Sequence, residues 1–360
     1  MPEINIRKLD ELLNYTCQSK ASDLHINVGS RPSIRLNSIL HQIPATEVVT
    51  PEIAWELVRS LLDDERMEML QSQGEVDFSF SKPGLGRFRV NAFRQRGTYS
   101  MAIRSLPFNI PKFESLGLPP VIKSFAKKNR GLVLATGPTG SGKSTTLASL
   151  IGIVNEERKC HIITIEDPIE YLHKHKNGII DQREIGSDTK SFASALRATL
   201  REDPDVILVG EMRDPETIAI ALTAAETGHL VFSTLHTVGA AKTIDRIIDS
   251  FPPAQQNQVK GQLATVLEGV VSQQLIPKRD GNGVVPAVEV MVATPAIRNL
   301  IREGKPYQIN SMIQTGSSSG MQSLENTLAQ LVSNGVISQD EAMLRAADPQ
   351  ILYQLINKRW

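Results

Sequence analysis

The chain has 360 residues, 41% hydrophobic and 22% charged, with 39 Lys and Arg against 39 Asp and Glu. This is globular composition with enough apolar material for about two domains, and a net charge of zero argues against holding nucleic acid by bulk attraction. Two distant cysteines, Cys17 and Cys160, offer neither a disulfide framework nor a CxxC zinc site, the N-terminus lacks an apolar signal region, and no apolar run is long enough for a membrane span, so the sequence predicts a soluble cytoplasmic protein that reaches any membrane process by docking.

Leu9, Leu12, Leu13 and Cys17 have helical spacing and predict a helix within residues 6–19. Residues 23–28 and 33–36 alternate as half-buried strands do. Thr50-Pro51-Glu52 combines a cap, a first-position proline and an acid, and predicts a helix running through Leu57, Leu61 and Leu62. Residues 76–81 and 87–93 read as strands joined by a turn over 82–86. Residues 1–106 thus form a small α+β unit. Pro107, Pro111, Pro119 and Pro120 mark a linker at 107–120. Beyond Gly131, apolar runs at 132–135, 161–165, 205–209 and 229–232 alternate with helical patterns such as 191–201 and 215–226. Runs of this kind predict a parallel sheet covered on both faces, an α/β domain over 121–292. From about Ala293 to 360 the chain reads as helical, over 296–302, 307–314, 323–334 and 338–346, with a Gly/Ser loop at 315–320.

Gly137-Pro138-Thr139-Gly140-Ser141-Gly142-Lys143-Ser144 fits GxxxxGK[ST] at every fixed position, after one predicted strand and before a predicted helix. The glycines let backbone N–H groups turn towards an anion, and the helix N-terminus adds partial positive charge. Lys143 is the candidate ligand of the β- and γ-phosphates, and the Ser144 hydroxyl the candidate Mg²⁺ ligand. A dinucleotide fingerprint fails, because Thr145 stands where its last glycine is needed.

Acids follow two of the predicted strands. Where a Walker B strand ends in Asp, this one has Gly210, which leaves Glu211 as the water-polarising candidate. Charge near Mg²⁺ would then come from Glu166 or Asp167. The competing reading makes these acids helix caps, for which Asp167-Pro168 is a suitable start. His229 and His236 bracket the run 230–235 and are either phosphate or subunit contacts or ordinary structural histidines. Between Phe78 and Phe113 there is no acid, while Lys82, Arg87, Arg89, Arg94, Arg96, Arg104 and Lys112 are basic. That stretch reads as a solvated strand face, as a nucleic-acid surface, or as arginine fingers offered to a γ-phosphate in trans.

The combination of residues 137–145, Ile165-Glu166-Asp167-Pro168-Ile169-Glu170, Val209-Gly210-Glu211-Met212-Arg213-Asp214 and the segment 227–237 resembles the ATPases of type II secretion and type IV pili. Ala296-Ile297-Arg298-Asn299-Leu300-Ile301-Arg302-Glu303 matches the AIRNLIRE motif of the pilus retraction ATPase (PilT) family letter for letter. The resemblance implies a PAS-like N-terminal domain, a RecA-like P-loop ATPase domain, and a helical C-terminal region bearing that motif. It implies an ATP- and Mg²⁺-dependent homohexameric ring at the cytoplasmic base of the pilus, working on an inner-membrane platform protein, in some cases beside an accessory retraction ATPase, with no nucleic acid as partner. Carried over residue by residue, it makes Glu211 the catalytic glutamate, Arg89 and Arg104 phosphate-facing arginines, Glu166 and Asp167 the Asp box, and His229 and His236 the His box. Two cysteines cannot form the zinc motif usual in the longer pilus assembly ATPases, which favours retraction. Asn37-Ser38 and Glu325 depart from the family pattern without touching the nucleotide loop. The rival readings are an accessory paralogue that needs another ATPase, a RecA-like nucleic-acid translocase, and a non-enzymatic scaffold.

Overall fold

The structure, a computed structural model, describes residues 4–36, 39–106 and 109–357; Pro107 of the expected linker and the Asn37-Ser38 turn lie outside them. Helix α1 (Leu9–Gln18) buries Leu9, Leu12 and Leu13 along one stripe. Strands β1 (Asp23–Ile26), β2 (Ser33–Leu36) and β3 (Ile39–Gln42) follow. The Thr50 side chain accepts the Ile53 N–H, so α2 (Pro51–Leu61) begins where cap and proline predict. Helix α3 (Asp64–Gln73) escaped the periodicity argument because it buries only Met67 and Leu70; its signals are its ends, an Asp63 cap and Gly74 at φ 87°. Strands β4 (Glu75–Lys82), β5 (Gly86–Gln95) and β6 (Thr98–Ser105) complete a six-stranded antiparallel sheet in the order β3-β2-β1-β6-β5-β4. One face of it packs Leu24, Ile26, Phe88, Val90, Met101 and Ile103 against Leu12, Leu13, Ile53, Leu57 and Val58. The register sets Arg35, Asp23, Arg104 and Arg89 in one row across the other face.

The described residues divide into two units: those up to Asn109 together with Pro168–Leu172, and those at Ile110–Asp167 and from His173 onward. The second unit contains α4 (Pro120–Ser124), β7 (Gly131–Thr136), α5 (Lys143–Glu157), β8 (His161–Glu166), β9 (Ile179–Glu184), α6 (Phe192–Thr199), β10 (Val206–Val209), α7 (Pro215–Glu226), β11 (Leu230–Leu235), α8 (Ala240–Asp249), α9 (Pro253–Val266), β12 (Leu267–Pro277) and β13 (Val284–Val292). Its seven-stranded sheet runs β13-β12-β7-β11-β10-β8-β9, parallel throughout except for the antiparallel β12–β13 pair. The four predicted apolar runs are its centre, and β7, β10 and β11 are buried at every position. Strand β9 was not legible because it is an edge strand with polar residues at four of six positions. Strand β12 was not legible because Leu267 both closes α9 and opens the strand, with no turn residue between.

Asp167-Pro168 does not begin a helix, and no helix or strand follows before β9. Ile169 and Tyr171 are buried at alternate positions of a segment without regular secondary structure, and the Ile169 carbonyl accepts from Arg87 Nε at 3.1 Å within the first unit. Helices α10 (Pro295–Arg302), α11 (Ile309–Thr315), α12 (Leu324–Ser333), α13 (Gln339–Arg345) and α14 (Pro349–Asn357) close the chain. They group with the second unit, where Leu324, Leu328, Ile337 and Leu352 pack on Ile276 and Ala287 of the β12–β13 hairpin. Among the described residues no helix is long and apolar enough to cross a membrane.

Candidate active site

Two glycines of the loop between β7 and α5 sit where a side chain has no room. Gly137 sits at φ 138°, and a Cβ there would strike the Gln273 carbonyl oxygen; one at Gly142 (φ 88°) would lie 2.7 Å from Gln273 Nε2. Gly142 is also the residue before α5, so no side chain caps that helix's first turn and its N–H groups open onto the loop. Lys143 is 8% exposed, and its ammonium donates to the carbonyl oxygens of Gly137 (2.8 Å) and Pro138 (3.0 Å). Among the described residues the buried Ser141 hydroxyl has no hydrogen-bond partner. Pro138, Thr139 and Gly140 are exposed, and Ser144 and Thr145 partly so. A buried cation, an orphaned hydroxyl and a helix N-terminus converge on one cradle, which fits a polyphosphate with several acceptor oxygens. Among the described residues no cluster of three His, Cys, Asp or Glu side chains is set to hold a metal by itself.

The predicted acids stand at the same edge of the sheet, outside the carboxyl ends of its strands, where α/β folds form ligand sites. Glu166 ends β8, and its Oε1 accepts from Thr164 Oγ1 (2.7 Å) and Gln182 Nε2 (3.1 Å); Asp167, next along, is exposed. Glu211 is 17% exposed, its Oε2 2.7 Å from Arg213 Nε and its Oε1 3.2 Å from His236 Nε2. Gly210 occupies the slot where an Asp is usual because the ends of β8 and β10 close together there: its N–H donates to Ile165 O at 2.7 Å, and a Cβ would lie 3.1 Å from that same oxygen. The β7–β11 register ends on Thr136 and Leu235, so His236 and Gly137 are the next residues on adjacent strands. The structure therefore brings together the loop 137–145, Glu166, Asp167, Glu211 and His236.

It does not bring His229 to them. The strand that separates the two histidines places His229 at the opposite edge, beside the start of β7, where its backbone carbonyl accepts the Gly131 N–H and its Nδ1 lies 2.9 Å from Ala224 O. A strand rises about 3.3 Å per residue, so bracketing histidines stand about 20 Å apart. Within one chain His229 is a satisfied structural side chain.

Arg89 and Arg104 belong to the first unit. Arg89 pairs with Asp77 (Nη2–Oδ2 2.6 Å) and Arg104 with Asp23 (Nε–Oδ1 2.9 Å), while Lys82 pairs with Asp10 at 2.7 Å. The acid-free stretch of sequence is thus not acid-free in space: neighbouring strands and α1 supply the carboxylates. Burial works against charge on Asp23, yet the Ser22 hydroxyl and Arg104 hold its carboxyl below the ordinary aspartate range.

The motif 296–303 lies on α10, capped by Thr294. Ile297 and Ile301 are fully buried and Leu300 packs beside them, while Ala296, Asn299, Arg302 and Glu303 face out. Arg298 ties this helix to the end of α9, donating to Ala264 O (2.9 Å), Thr265 O (2.7 Å), Ala293 O (3.1 Å) and Glu268 Oε1 (2.7 Å). Sequence reasoning missed four side chains around the site. Gln273 accepts from Thr146 Oγ1 at 2.8 Å beneath the loop, Gln182 and Thr164 hold Glu166, and Arg213 holds Glu211. Gln273 and Gln182 sit on β12 and β9, strands the sequence did not reveal, and a polar residue two places after Glu211 carries no signal of its own.

A strand, a GxxxxGKS loop and a helix on a parallel sheet, with glutamates past two neighbouring strands, define a P-loop protein of the nucleotide-hydrolysing type. The chain belongs to the type II/IV secretion system protein family, whose model matches residues 3–344. It is 50% identical over 319 residues to a twitching motility protein of Neisseria gonorrhoeae, covering 89% of this chain and 85% of that one. To a protein of Pseudomonas aeruginosa named type IV pilus retractation ATPase PilT it is 48% identical over 342 residues, 95% of this chain and 99% of that one. The crystal structure of the pilus retraction motor PilT with bound ADP superposes with a TM-score of 0.92 at 49% identity, covering 96% of this chain and 99% of that chain.

Proposed function

We propose that this chain is an ATP-hydrolysing motor that powers type IV pilus retraction and so twitching motility. The observation that carries the reading is the phosphate cradle around buried Lys143 with Glu211 past a neighbouring strand of the same sheet, in a chain about half identical to retraction proteins along most of its length. In this reading Lys143 and the N–H groups of 137–145 bind the β- and γ-phosphates. A Mg²⁺ ion would be held by the Ser144 hydroxyl and phosphate oxygens, with Glu166 and Asp167 nearby as acids, and it would withdraw charge from the phosphoryl group. Glu211 orients the attacking water, so its contact with Arg213 or His236 gives way as the water arrives.

The working form is a homohexamer at the inner face of the cytoplasmic membrane. Arg89 and Arg104 offer guanidinium groups to the γ-phosphate once released by Asp77 and Asp23, and the exposed side of 296–303 passes the movement to a platform protein, alone or beside an accessory retraction ATPase. Residues 1–106, 121–292 and 293–360 act as its domains, joined through 107–120. The test is ATP turnover by the purified chain, with Glu211→Ala expected to bind ATP and to lose about 10²-fold or more in kcat. Near wild-type turnover removes Glu211 from this role. Wild-type turnover that single-stranded DNA accelerates would favour a translocase instead, and unimpaired twitching after loss of the chain would refute retraction.

A further inference from the structure

The β12–β13 hairpin reaches the edge of the sheet where the site lies, and two of its side chains act on one helix. Ser272 and Glu289 are direct cross-strand partners, so their side chains share a face. Both end at the start of α8. Ser272 Oγ accepts the Gly239 N–H at 2.8 Å, and Glu289 Oε1 accepts the Ala240 N–H at 2.7 Å. Gly239, the residue before the helix, has no side chain with which to cap it, and α8 shows no other side-chain cap. The connection 236–239 that these bonds terminate is short, and it starts at His236, whose Nε2 lies 3.2 Å from Glu211. Inside it Thr237 Oγ1 meets Thr243 Oγ1 at 2.7 Å, and Thr243 Oγ1 donates to Gly239 O at 2.8 Å.

Glu289 is half-buried, and a sheltered carboxylate is costly unless hydrogen bonds offset its lost hydration. Burial pushes Glu289 above the ordinary glutamate range; the Ala240 N–H opposes that, and the Glu325 carboxylate adds to it. Nothing in the phosphate cradle uses Glu289. The next residue on β12, Gln273, points to the opposite face and supports that cradle.

We propose that Glu289 is a positioning residue for hydrolysis: by holding the first N–H of α8, with Ser272 on its neighbour, it fixes the short loop that sets His236 against Glu211. The inference rests on the reading of this chain as an ATPase and names a residue that reading does not use. Its experiment measures turnover and binding of a fluorescent ATP analogue for the full chain and for Glu289→Ala and Glu289→Gln, each in the wild-type and the His236→Ala background. Glu289→Ala is expected to lower kcat about tenfold with KM changed less than about twofold, the pattern of lost positioning. Glu289→Gln, whose amide oxygen accepts the same N–H, is expected to keep about half of the wild-type kcat or more. In the His236→Ala background Glu289→Ala is expected to change kcat by less than about twofold, because the contact it serves is already gone.

Equal losses in the two backgrounds, or a Gln variant as poor as the Ala variant, overturn the proposal, since a merely structural residue would behave that way. Should Glu289→Ala fail to fold, Ser272→Ala carries the same two-background comparison. Absence of turnover by the wild-type chain sinks the ATPase reading and this inference with it; turnover with additive losses sinks this inference alone.

Discussion

Two glutamates at opposite edges of the seven-stranded sheet are each paired with an arginine, and the pairs are built differently. Glu268, at the beginning of β12, is 16% exposed, and Arg298 beside it is 23% exposed with three further bonds to backbone carbonyls. Lys128 adds a second cation at 2.7 Å. Glu211, past the end of β10, is equally sheltered at 17%, but its Arg213 is 64% exposed. A guanidinium whose donors are spent on fixed carbonyls is a staple. One that reaches out of solvent to a single carboxylate is easily exchanged for water or a phosphate oxygen. The difference teaches that one edge of this sheet is assembled to stay as it is and the other to change partners.

The comparison can be broken in several ways, taken from the largest expected effect down. Lys143→Ala should lower ATP turnover about 10³-fold or more through lost phosphate binding, with little change in melting temperature; a large loss of stability instead would make the cradle an architectural element. Arg298→Ala should destabilise the fold by about 3 kcal/mol, read as a drop in denaturation midpoint, because it removes one of the two cations from a sheltered carboxylate and a donor from three carbonyls. A shift under about 1 kcal/mol would mean that Lys128 alone satisfies Glu268. Arg213→Ala should alter stability by less than about 0.5 kcal/mol while still changing turnover, and a stability loss matching that of Arg298→Ala would erase the distinction between the two pairs.

The smallest effect concerns His161, at the start of β8 on the fixed edge. Its Nε2 lies 2.9 Å from Asp181 Oδ2, and its Nδ1 lies 3.1 Å from Asp203 O. Burial disfavours its charged form, but Asp181 and the Asp203 carbonyl outweigh that and raise its pKa above the ordinary histidine value. A raised folded-state pKa contributes stability that is fully present below about pH 6.5 and is lost as the pH climbs through the higher folded value. Asp181→Asn should therefore weaken the chain more at pH 6 than at pH 8, by well under about 1 kcal/mol in thermal melts; an equal effect at both pH values would show that the ion pair contributes nothing.

The site was largely legible because its chemistry is local. The GxxxxGKS spacing, a glycine before Glu211 and acids after an apolar run are short-range patterns, and each lies where a strand meets a loop. What could not be read was the surroundings of each group. The bracketing histidines look equivalent in sequence, yet one strand length separates them, and only His236 joins Glu211. The stretch 79–112 lacks acids in sequence, but the antiparallel register supplies Asp77 and Asp23 to Arg89 and Arg104. Asp167-Pro168 has the form of a helix start, and the burial of Ile169 and Tyr171 overrides it.

The sequence by itself determined that a phosphate-binding loop stands between a buried strand and a helix, that Glu211 and Glu166 each follow an apolar run, and that α10 is amphipathic, because those features depend on residues within one helical turn or one strand of each other. Tertiary structure alone decided the strand order that aligns these ends, the approach of Gln273 beneath the loop, and the capping of α8 by Ser272 and Glu289. Those contacts join residues tens of positions apart, and their partners are polar side chains whose role arises only when folding removes water from around them.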